Sequence, residues 1–411
     1  MPEPTTIFIS AGEASGEHYG ALLVEALQQK ITAAGGNATF FGMGGTRMED
    51  AGLERIVRSE DMAVMGITEV VRHLPRIYRE LRRLKASIRA RRPSVAVLID
   101  FPDIHFRLAE EFHRLGIPVI FFVSPQLWAW KKQRIKLVQE FVTKMLVIFP
   151  FEEPFYREHN VSAEFVGHPL ADLPQPAISR EQFAIENELN PAKSWIGLLP
   201  GSRAKEISDN LPQILAAARI LTLRAPKAAG PRKEFEFLIP VAPTLNASQR
   251  KMLLGVVANH GDGLSVHIVE DARAALLHAR ASVVASGTAT VEAALIGKPF
   301  VVVYRVSPVT YEIAKRIVKV PFVAMANLIA GKLVVPELIQ SAFTAANIVR
   351  HIEPLLPDGP PRESMMKELE QIRGLLTLRH GEKNGGAIAR VADVTLELLG
   401  AASPVSDAVQ S

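Results

Sequence analysis

The residues with the strongest chemical signature lie in Ser286–Pro299, SGTATVEAALIGKP. Apolar runs flank the segment, Ala281–Ala285 before it and Phe300–Tyr304 after it, and it ends in Gly297, Lys298 and Pro299. That pattern predicts a βαβ unit. Ser286, Gly287 and Thr288, followed by Ala289 and Thr290, would then sit where a strand gives way to a helix. Free backbone N–H groups and the positive end of the helix dipole favour a phosphate there. Glu292 falls one turn into the helix, where a carboxylate can reach past a bound diphosphate to ribose hydroxyls. The same residues also read as a plain helix start, with SGTAT as a cap and Glu292 solvated. A second turn of this kind is LLPGSRAKEI, Leu198–Ile207. Gly201, Ser202 and Arg203 lead from strand to helix, and Arg203 could set a fixed guanidinium beside a phosphate.

The elements that must position these turns alternate along the whole chain. Thr5–Ala11 reads as a first strand, and Gly12–Gly20 (GEASGEHYG) as a turn into a helix through Leu27. Glycines at 12 and 16 allow a tight turn beside a ligand, but the G-x-G-x-x-G spacing of a dinucleotide fingerprint is missing. Ala38–Gly42 is a second strand, closed by GMGG. Pro75–Arg91 is a basic helix. Val95–Ile99 is a buried strand ending in DFPD, Asp100–Asp103. Val119–Val123 leads into SPQLWAWKKQR, and Met145–Ile148 into FPFEEPFY. Val166–Pro176 has the proline-rich character of a linker. Beyond it the alternation resumes with Trp195–Leu199, Phe235–Pro240, Leu264–Ile268, Ala281–Ala285 and Phe300–Val303. From Val335 onward the pattern is helical with no further strand, and the tail after Ala401 is expected to fray. Alternation of this sort gives doubly wound parallel sheets with the ligand crevice outside the carboxyl ends of the strands. The expected fold class is therefore α/β, two Rossmann-like domains facing a cleft, the arrangement of GT-B glycosyltransferases that use nucleotide sugars.

Composition agrees with two domains, because 411 residues exceed one ordinary core. A hydrophobic share of 48% against 22% charged residues excludes wholesale disorder. Cysteine is absent, which excludes disulfides and thiolate metal sites and fits a reducing cytoplasm. No paired His or Asp appears at metal-ligand spacing either. Ile7–Ile9 is too short and too poorly flanked for a targeting segment, and no run approaches the roughly 18 apolar residues of a membrane span. The net charge of +4 is unevenly spread. Arg72, Arg76, Arg79, Arg82, Arg83, Lys85, Arg89, Arg91 and Arg92 crowd one segment, in which only Glu80 opposes them. Such a run is a solvated helix, or it meets nucleic acid or an anionic membrane. Nucleic acid is the weaker reading, since no aromatic interleaving, zinc pattern or RNA-binding signature accompanies it. The apolar Met62–Leu74 directly precedes the basic run, so Met62–Arg92 as a whole is a candidate membrane-facing surface, with a buried core helix as the alternative.

Ten blocks in register carry a resemblance. AGEASGEHYG, GMGGTRM, MGITEV, IDFPDIHFRLAE, VSPQLWAWKKQRIK, FPFEEPFY, VGHPLAD, LLPGSRAKEI, ASGTATVEAAL and MANLIAGKLVVPELIQ closely resemble, in order, the lipid-A-disaccharide synthase family. The match runs from about residue 7 to 345. It implies an inverting transferase without catalytic metal or other cofactor. The substrates so implied are UDP-2,3-diacylglucosamine and 2,3-diacylglucosamine 1-phosphate, and the products UDP and a β-1,6 disaccharide. It implies a domain 1–170 for the acceptor and its lipid, a domain 171–345 for the UDP-sugar, and C-terminal helices 346–411 free to pack back on the first domain. It also implies a cytoplasmic enzyme, peripheral on the inner membrane of a Gram-negative bacterium, with a homodimer left open.

Inverting transfer needs a carboxylate to take the proton of the attacking hydroxyl and electrostatic help for the departing diphosphate. Asp100, at the end of a buried strand, is the first candidate for the base. Glu13 and Asp103 are its rivals, and Asp103 may equally cap the following helix. Gly201, Ser202, Arg203 and Ser286–Thr290 would hold the diphosphate, and Glu292 the ribose. Asn327 resembles a functional asparagine of the family, with a helix cap as the plain alternative. Trp128 and Trp130 read as packing of the cleft wall, and His18 and His168 as supporting residues. A non-hydrolysing UDP-sugar epimerase would share the architecture, and a membrane adaptor would share only the basic-apolar surface. The chain carries both the nucleotide turns and that surface, which favours a transferase of lipid sugars.

Overall fold

Strands buried on both faces read as unbroken apolar runs, and the central strands of both sheets are such runs. The structure, a computed structural model, describes residues 5–62, 67–129, 132–224, 235–242, 245–307, 311–312, 315, 320–378 and 385–402. Residues 1–172 and 376–411 form one compact unit, and 173–375 the other.

The first unit holds β1 (Thr5–Ala11), β2 (Ala38–Gly44), β3 (Leu53–Arg58), β4 (Val95–Ile99), β5 (Val119–Phe122), β6 (Lys144–Val147) and β7 (Ala163–Phe165). Their order is β3-β2-β1-β4-β5-β6-β7, and every pairing is parallel. The second unit holds β8 (Ser194–Leu199), β9 (Phe235–Pro240), β10 (Val266–Val269), β11 (Ala281–Ala285), β12 (Phe300–Tyr304) and β13 (Glu337–Ile339). Its order is β10-β9-β8-β11-β12-β13, again all parallel. Both are doubly wound Rossmann-like sheets of the α/β class. In each, the strand order reverses once, between β1 and β4 and between β8 and β11. Ligands of open α/β sheets bind outside the carboxyl ends of the strands at such a reversal.

The core of the first unit centres on Phe8, which meets Phe41 and Phe112 edge-on at 5.3 and 5.0 Å. The helix Pro102–Arg114 buries Ile104, Phe106, Leu108 and Phe112 on that core. In the second unit the fully buried Trp195 packs on Phe183, and its Nε1 donates to Glu236 at 3.0 Å.

Three strands depart from the sequence reading. β3, β7 and β13 lie at sheet edges, and β13 contradicts the expectation of no strand after Val335. β7 and β13 are only three residues long, and such strands owe their form to one neighbouring ladder rather than to an apolar run of their own.

The basic helix also differs. It runs Ile67–Arg91, with Pro75 inside it, and buries Leu81, Leu84 and Ile88 on the core. Acids from other elements answer its cations. Arg76 pairs with Asp61, Arg91 with Glu54, and Lys85 and Arg89 with the buried Glu111 at 3.4 and 2.7 Å. Glu80, itself buried, takes Arg79 and Arg83. Leu74 and Tyr78 remain exposed, and Arg82 lies over the Tyr78 ring at 4.4 Å. The backbone of residues 63–66 and the side chains of 63–73, most of the apolar run Met62–Leu74, lie outside the described residues. Met62 itself is buried.

Candidate active site

In the first unit the reversal point brings together Gly12 and Glu13, after β1, and Asp100, after β4. The chain leaves β4 through two consecutive non-glycine residues in the left-handed region, Asp100 at φ 52° and Phe101 at φ 53°. Pro102 follows and starts the next helix, so Phe101 is barred from the ordinary helical region. Left-handed residues of this kind cost on the order of 1–3 kcal/mol each and persist only where the surroundings over-determine them. Two neighbours do so here. A side chain on Gly12 would start 2.3 Å from the Phe101 ring, so only glycine lets that ring lie against the β1 turn. The buried His105 ring places Nδ1 on the Asp100 carbonyl and Nε2 2.8 Å from the buried Ser10 hydroxyl.

The Asp100 carboxyl is pushed up to about 6, first by burial and then by the charge of Glu13, while the Phe101 N–H pulls it the other way. A carboxylate poised near neutrality suits a general base. Glu13 is exposed and is the N-cap residue of the helix Ala14–Ala33, but its side chain caps nothing. Asp103 is exposed, sits in the first helical turn and pairs with Arg134. Glu17 caps the next turn by accepting from Arg47 N at 3.0 Å. His18 is partly buried, and burial followed by the charge of Arg47 holds its imidazole below the usual histidine range.

Beside this corner, at the ends of β5 and β6, lies an aromatic wall that the sequence only hinted at. Trp128 Nε1 donates to Glu152 at 3.0 Å, and Phe149 N donates to the same carboxyl at 3.1 Å. Glu152 is buried, and desolvation pushes its carboxyl up to about 8 against the hydrogen bonds it accepts. Phe151 stacks on Phe149 and meets Trp128 edge-on at 4.9 Å. His168 is buried against Phe149, accepts from Leu170 N at 3.1 Å, and is held down to about 3 by burial. Trp130 lies outside the described residues.

In the second unit the reversal point lies between the turns after β8 and β11. Gly201 adopts φ 119°, and a side chain there would start 2.3 Å from Glu206. Glu206 Oε2 accepts from Ser202 N at 3.0 Å and Arg203 N at 3.3 Å, and Oε1 faces Arg203 Nη1 at 3.4 Å. The turn thus already holds a carboxylate where an anion would sit, and Arg203 is more than half exposed beside it. Tyr304, at the end of β12, feels both Glu206 and Arg203.

Opposite, Ser286 donates its backbone N–H to Val303, and Thr290 is buried with its hydroxyl on the Gly287 carbonyl at 2.7 Å. Gly287 and Thr288 are exposed, and no side chain caps the helix Thr288–Ile296. Ala289 is partly buried behind them. Glu292 is partly buried, and its carboxyl is raised by burial, opposed by Arg273 and reinforced by Asp271. The expected turns Gly201–Arg203 and Ser286–Thr290, with Glu292 in the helix after the second, therefore share one edge of one sheet.

Asn327 behaves otherwise. It is fully buried, and the N-cap of its helix is Ala324. Its Nδ2 donates to the Val335 carbonyl at 2.9 Å and to Glu337 at 2.8 Å, and its Oδ1 accepts from Val334 N and Val335 N at 2.8 and 2.9 Å. Glu337 in turn accepts from Val323 N and Ala324 N. The amide is saturated by the segment 323–337 that leads into β13.

Two doubly wound sheets with turns gathered at their reversal points are common to many enzymes, and comparison with known proteins decides the family. The profile of the lipid-A-disaccharide synthetase family matches residues 7–391. The chain belongs to that family. Family members include the lipid-A-disaccharide synthase of Acidobacterium capsulatum, 56% identical over 97% of this chain and 98% of that one. The synthase of Koribacter versatilis is 50% identical over 95% and 98%. Among solved structures, the S. aureus MnaA–UDP complex aligns with TM-score 0.61 at 13% identity, over 96% of this chain and 97% of that one. The calicheamicin glycosyltransferase CalG4 aligns with TM-score 0.56 at 17% identity, over 99% and 100%. At such identities the likeness carries the fold, and it is the GT-B fold. The enzyme is a hexosyltransferase of lipid A biosynthesis. Among the described residues no helix is long and apolar enough to cross a membrane.

His105, Ser10, Glu206 and Glu337 were missed from the sequence. Signals existed for two of them. Ser10 interrupts an apolar strand, and Glu206 stands three residues after Arg203, within reach of its own turn.

Proposed function

We propose that the chain condenses UDP-2,3-diacylglucosamine with 2,3-diacylglucosamine 1-phosphate, with Asp100 as general base. The acceptor's 6-hydroxyl oxygen forms a bond to the donor sugar's C1 as the C1–oxygen bond to diphosphate breaks. The electron pair leaves with UDP, and the hydroxyl proton passes to Asp100. Attack from the face opposite the leaving group inverts C1 and gives the β-1,6 disaccharide. The observation that carries this reading is a carboxylate lifted to about 6 at the reversal point of the first sheet. In the second unit, the Gly201–Ser202–Arg203 and Ser286–Thr290 turns hold the diphosphate, and Glu292 accepts from ribose. Glu206 must yield its backbone N–H partners for a phosphate to take them. Asn327 serves by fixing the segment 323–337.

We further assign the exposed side of the helix Ile67–Arg91, with Leu74, Tyr78 and Arg82, to an anionic membrane surface. Apolar contact and cation attraction together make peripheral binding stable. The acyl chains of both substrates supply the reason for such a surface.

The test is to incubate the purified protein with both lipid substrates and follow disaccharide and UDP by mass spectrometry, for wild type and Asp100→Asn. The variant should fold, because asparagine tolerates the left-handed region and relieves a desolvated charge. It should keep its UDP affinity and lose at least about a hundredfold in turnover. Near-normal turnover would remove Asp100 from the role.

A further inference from the structure

The base candidate sits on a turn whose carbonyl is engaged by a buried histidine. His105 sits in the first turn of the helix Pro102–Arg114, and its own N–H donates to the Phe101 carbonyl at 3.1 Å. Its ring reaches back to the Asp100 carbonyl. One residue therefore engages the carbonyls of both left-handed positions. The tautomer follows from the partners. A carbonyl oxygen only accepts, so the ring proton is on Nδ1, and Nε2 is left to accept from Ser10 Oγ. Burial holds the imidazole down to about 4, so it stays neutral through the working range. Phe101 and Phe121 flank the ring edge-on at 5.8 and 6.1 Å.

We propose that His105 is a positioning residue for the transfer: locked by Ser10, it donates to the Asp100 carbonyl and so fixes the turn that directs the Asp100 carboxylate. This rests on Asp100 being the base, and the test keeps the two claims apart. Misplacing a catalytic group by about 1 Å can cost on the order of a hundredfold in rate. His105→Leu, which fills the space but donates nothing, should lower kcat by tens of fold. KM for the UDP-sugar and Kd for UDP should not move, because the second unit holds the nucleotide. His105→Asn places an amide nitrogen near the Nδ1 position and should restore most of the rate. In an Asp100→Asn background, His105→Leu should cause no further loss, since a group acting through Asp100 has nothing left to act on.

The readouts divide cleanly. Wild-type turnover in Asp100→Asn removes the base and the proposal with it. A slow Asp100→Asn beside a fast His105→Leu leaves the base standing and overturns the proposal. So does a His105→Asn as slow as His105→Leu, or a further loss in the double variant, either of which marks a purely structural histidine. If His105→Leu does not fold, His105→Asn and Ser10→Ala decide. The first must keep most of its rate. The second, which frees the ring, must lower kcat at unchanged KM, with a drop in melting temperature no larger than the few degrees that one lost buried hydrogen bond costs, and a wild-type rate there overturns the proposal.

Discussion

Replacing Asn327 by alanine asks whether a residue expected at the ligand acts there directly. In the structure its amide makes four hydrogen bonds, all to the segment that feeds β13, and none of its surface is exposed. At a net worth of about 1 kcal/mol for each intramolecular hydrogen bond, losing all four costs roughly 4 kcal/mol. The figure rises if the Val334 and Val335 N–H groups stay dry and falls if water enters the small space left behind. For a unit of this size, about 1 kcal/mol shifts the melting temperature by roughly 2–4 °C, so the second unit should melt roughly 8–16 °C lower. Amide hydrogen exchange localises the effect. The Val334 and Val335 amides should lose protection first, with the Val323 and Ala324 amides on Glu337 following, while the Ser286–Thr290 turn should be nearly unchanged. UDP affinity should fall only as far as that segment loosens. Unaltered protection and melting together with a large loss of UDP affinity would refute the reasoning, because the amide would then be reaching the ligand itself.

Activity should fall as pH drops through about 6, where Asp100 takes up its proton. Glu13→Gln removes the second cause of that elevation and should move the acid limb of kcat/KM to lower pH, but not as far as an ordinary aspartate, because burial, the larger cause, remains; a limb that moves upward or stays put refutes this. Arg203→Ala and Glu292→Ala should each weaken UDP binding by roughly 1–3 kcal/mol. In titration calorimetry Arg203→Ala should matter less for uridine than for UDP, whereas Glu292→Ala should matter for both. Equal losses of UDP and uridine in Arg203→Ala would take that residue off the diphosphate. Flotation with anionic vesicles should show binding that weakens but persists in high salt, and Leu74→Ser with Tyr78→Ser should remove the persistent part. Unchanged flotation would place the membrane contact elsewhere.

The sheets were legible because their central strands are apolar enough to announce themselves. Ala281–Ala285 and Val95–Ile99 are buried at every position and were read with correct bounds. The turns that follow them could be placed at the carboxyl edge for the same reason. The edge strands β3, β7 and β13 were not legible, and β7 and β13 are defined by the neighbour that pairs with them. The basic helix was legible only in part. Its opposing acids, Glu54, Asp61 and Glu111, come from other elements, and charge pairing over such distances leaves no spacing in the sequence. Asn327 shows a further limit, because an asparagine that binds a ligand and one that ties a loop carry the same side chain. Only the count of partners tells them apart.

The last helix, Gly386–Ala402, has a consequence for how the chain is made. It lies against the helix Ala14–Ala33, where Lys30 meets Asp393 at 2.8 Å. Arg390 joins Glu164 to Glu397, and Asp172 accepts from Ala387 N at 2.6 Å. Val391 and Ala392 are buried there. The unit that is begun first is thus finished last. Domains ordinarily fold from the N-terminus as synthesis proceeds. Here the uninterrupted stretch 173–375 can close while the earlier unit still waits on the ribosome for its final wall. Until then the apolar flank of the Ala14–Ala33 helix, with Leu23, Val24 and Leu27, lacks part of its cover on the nascent chain.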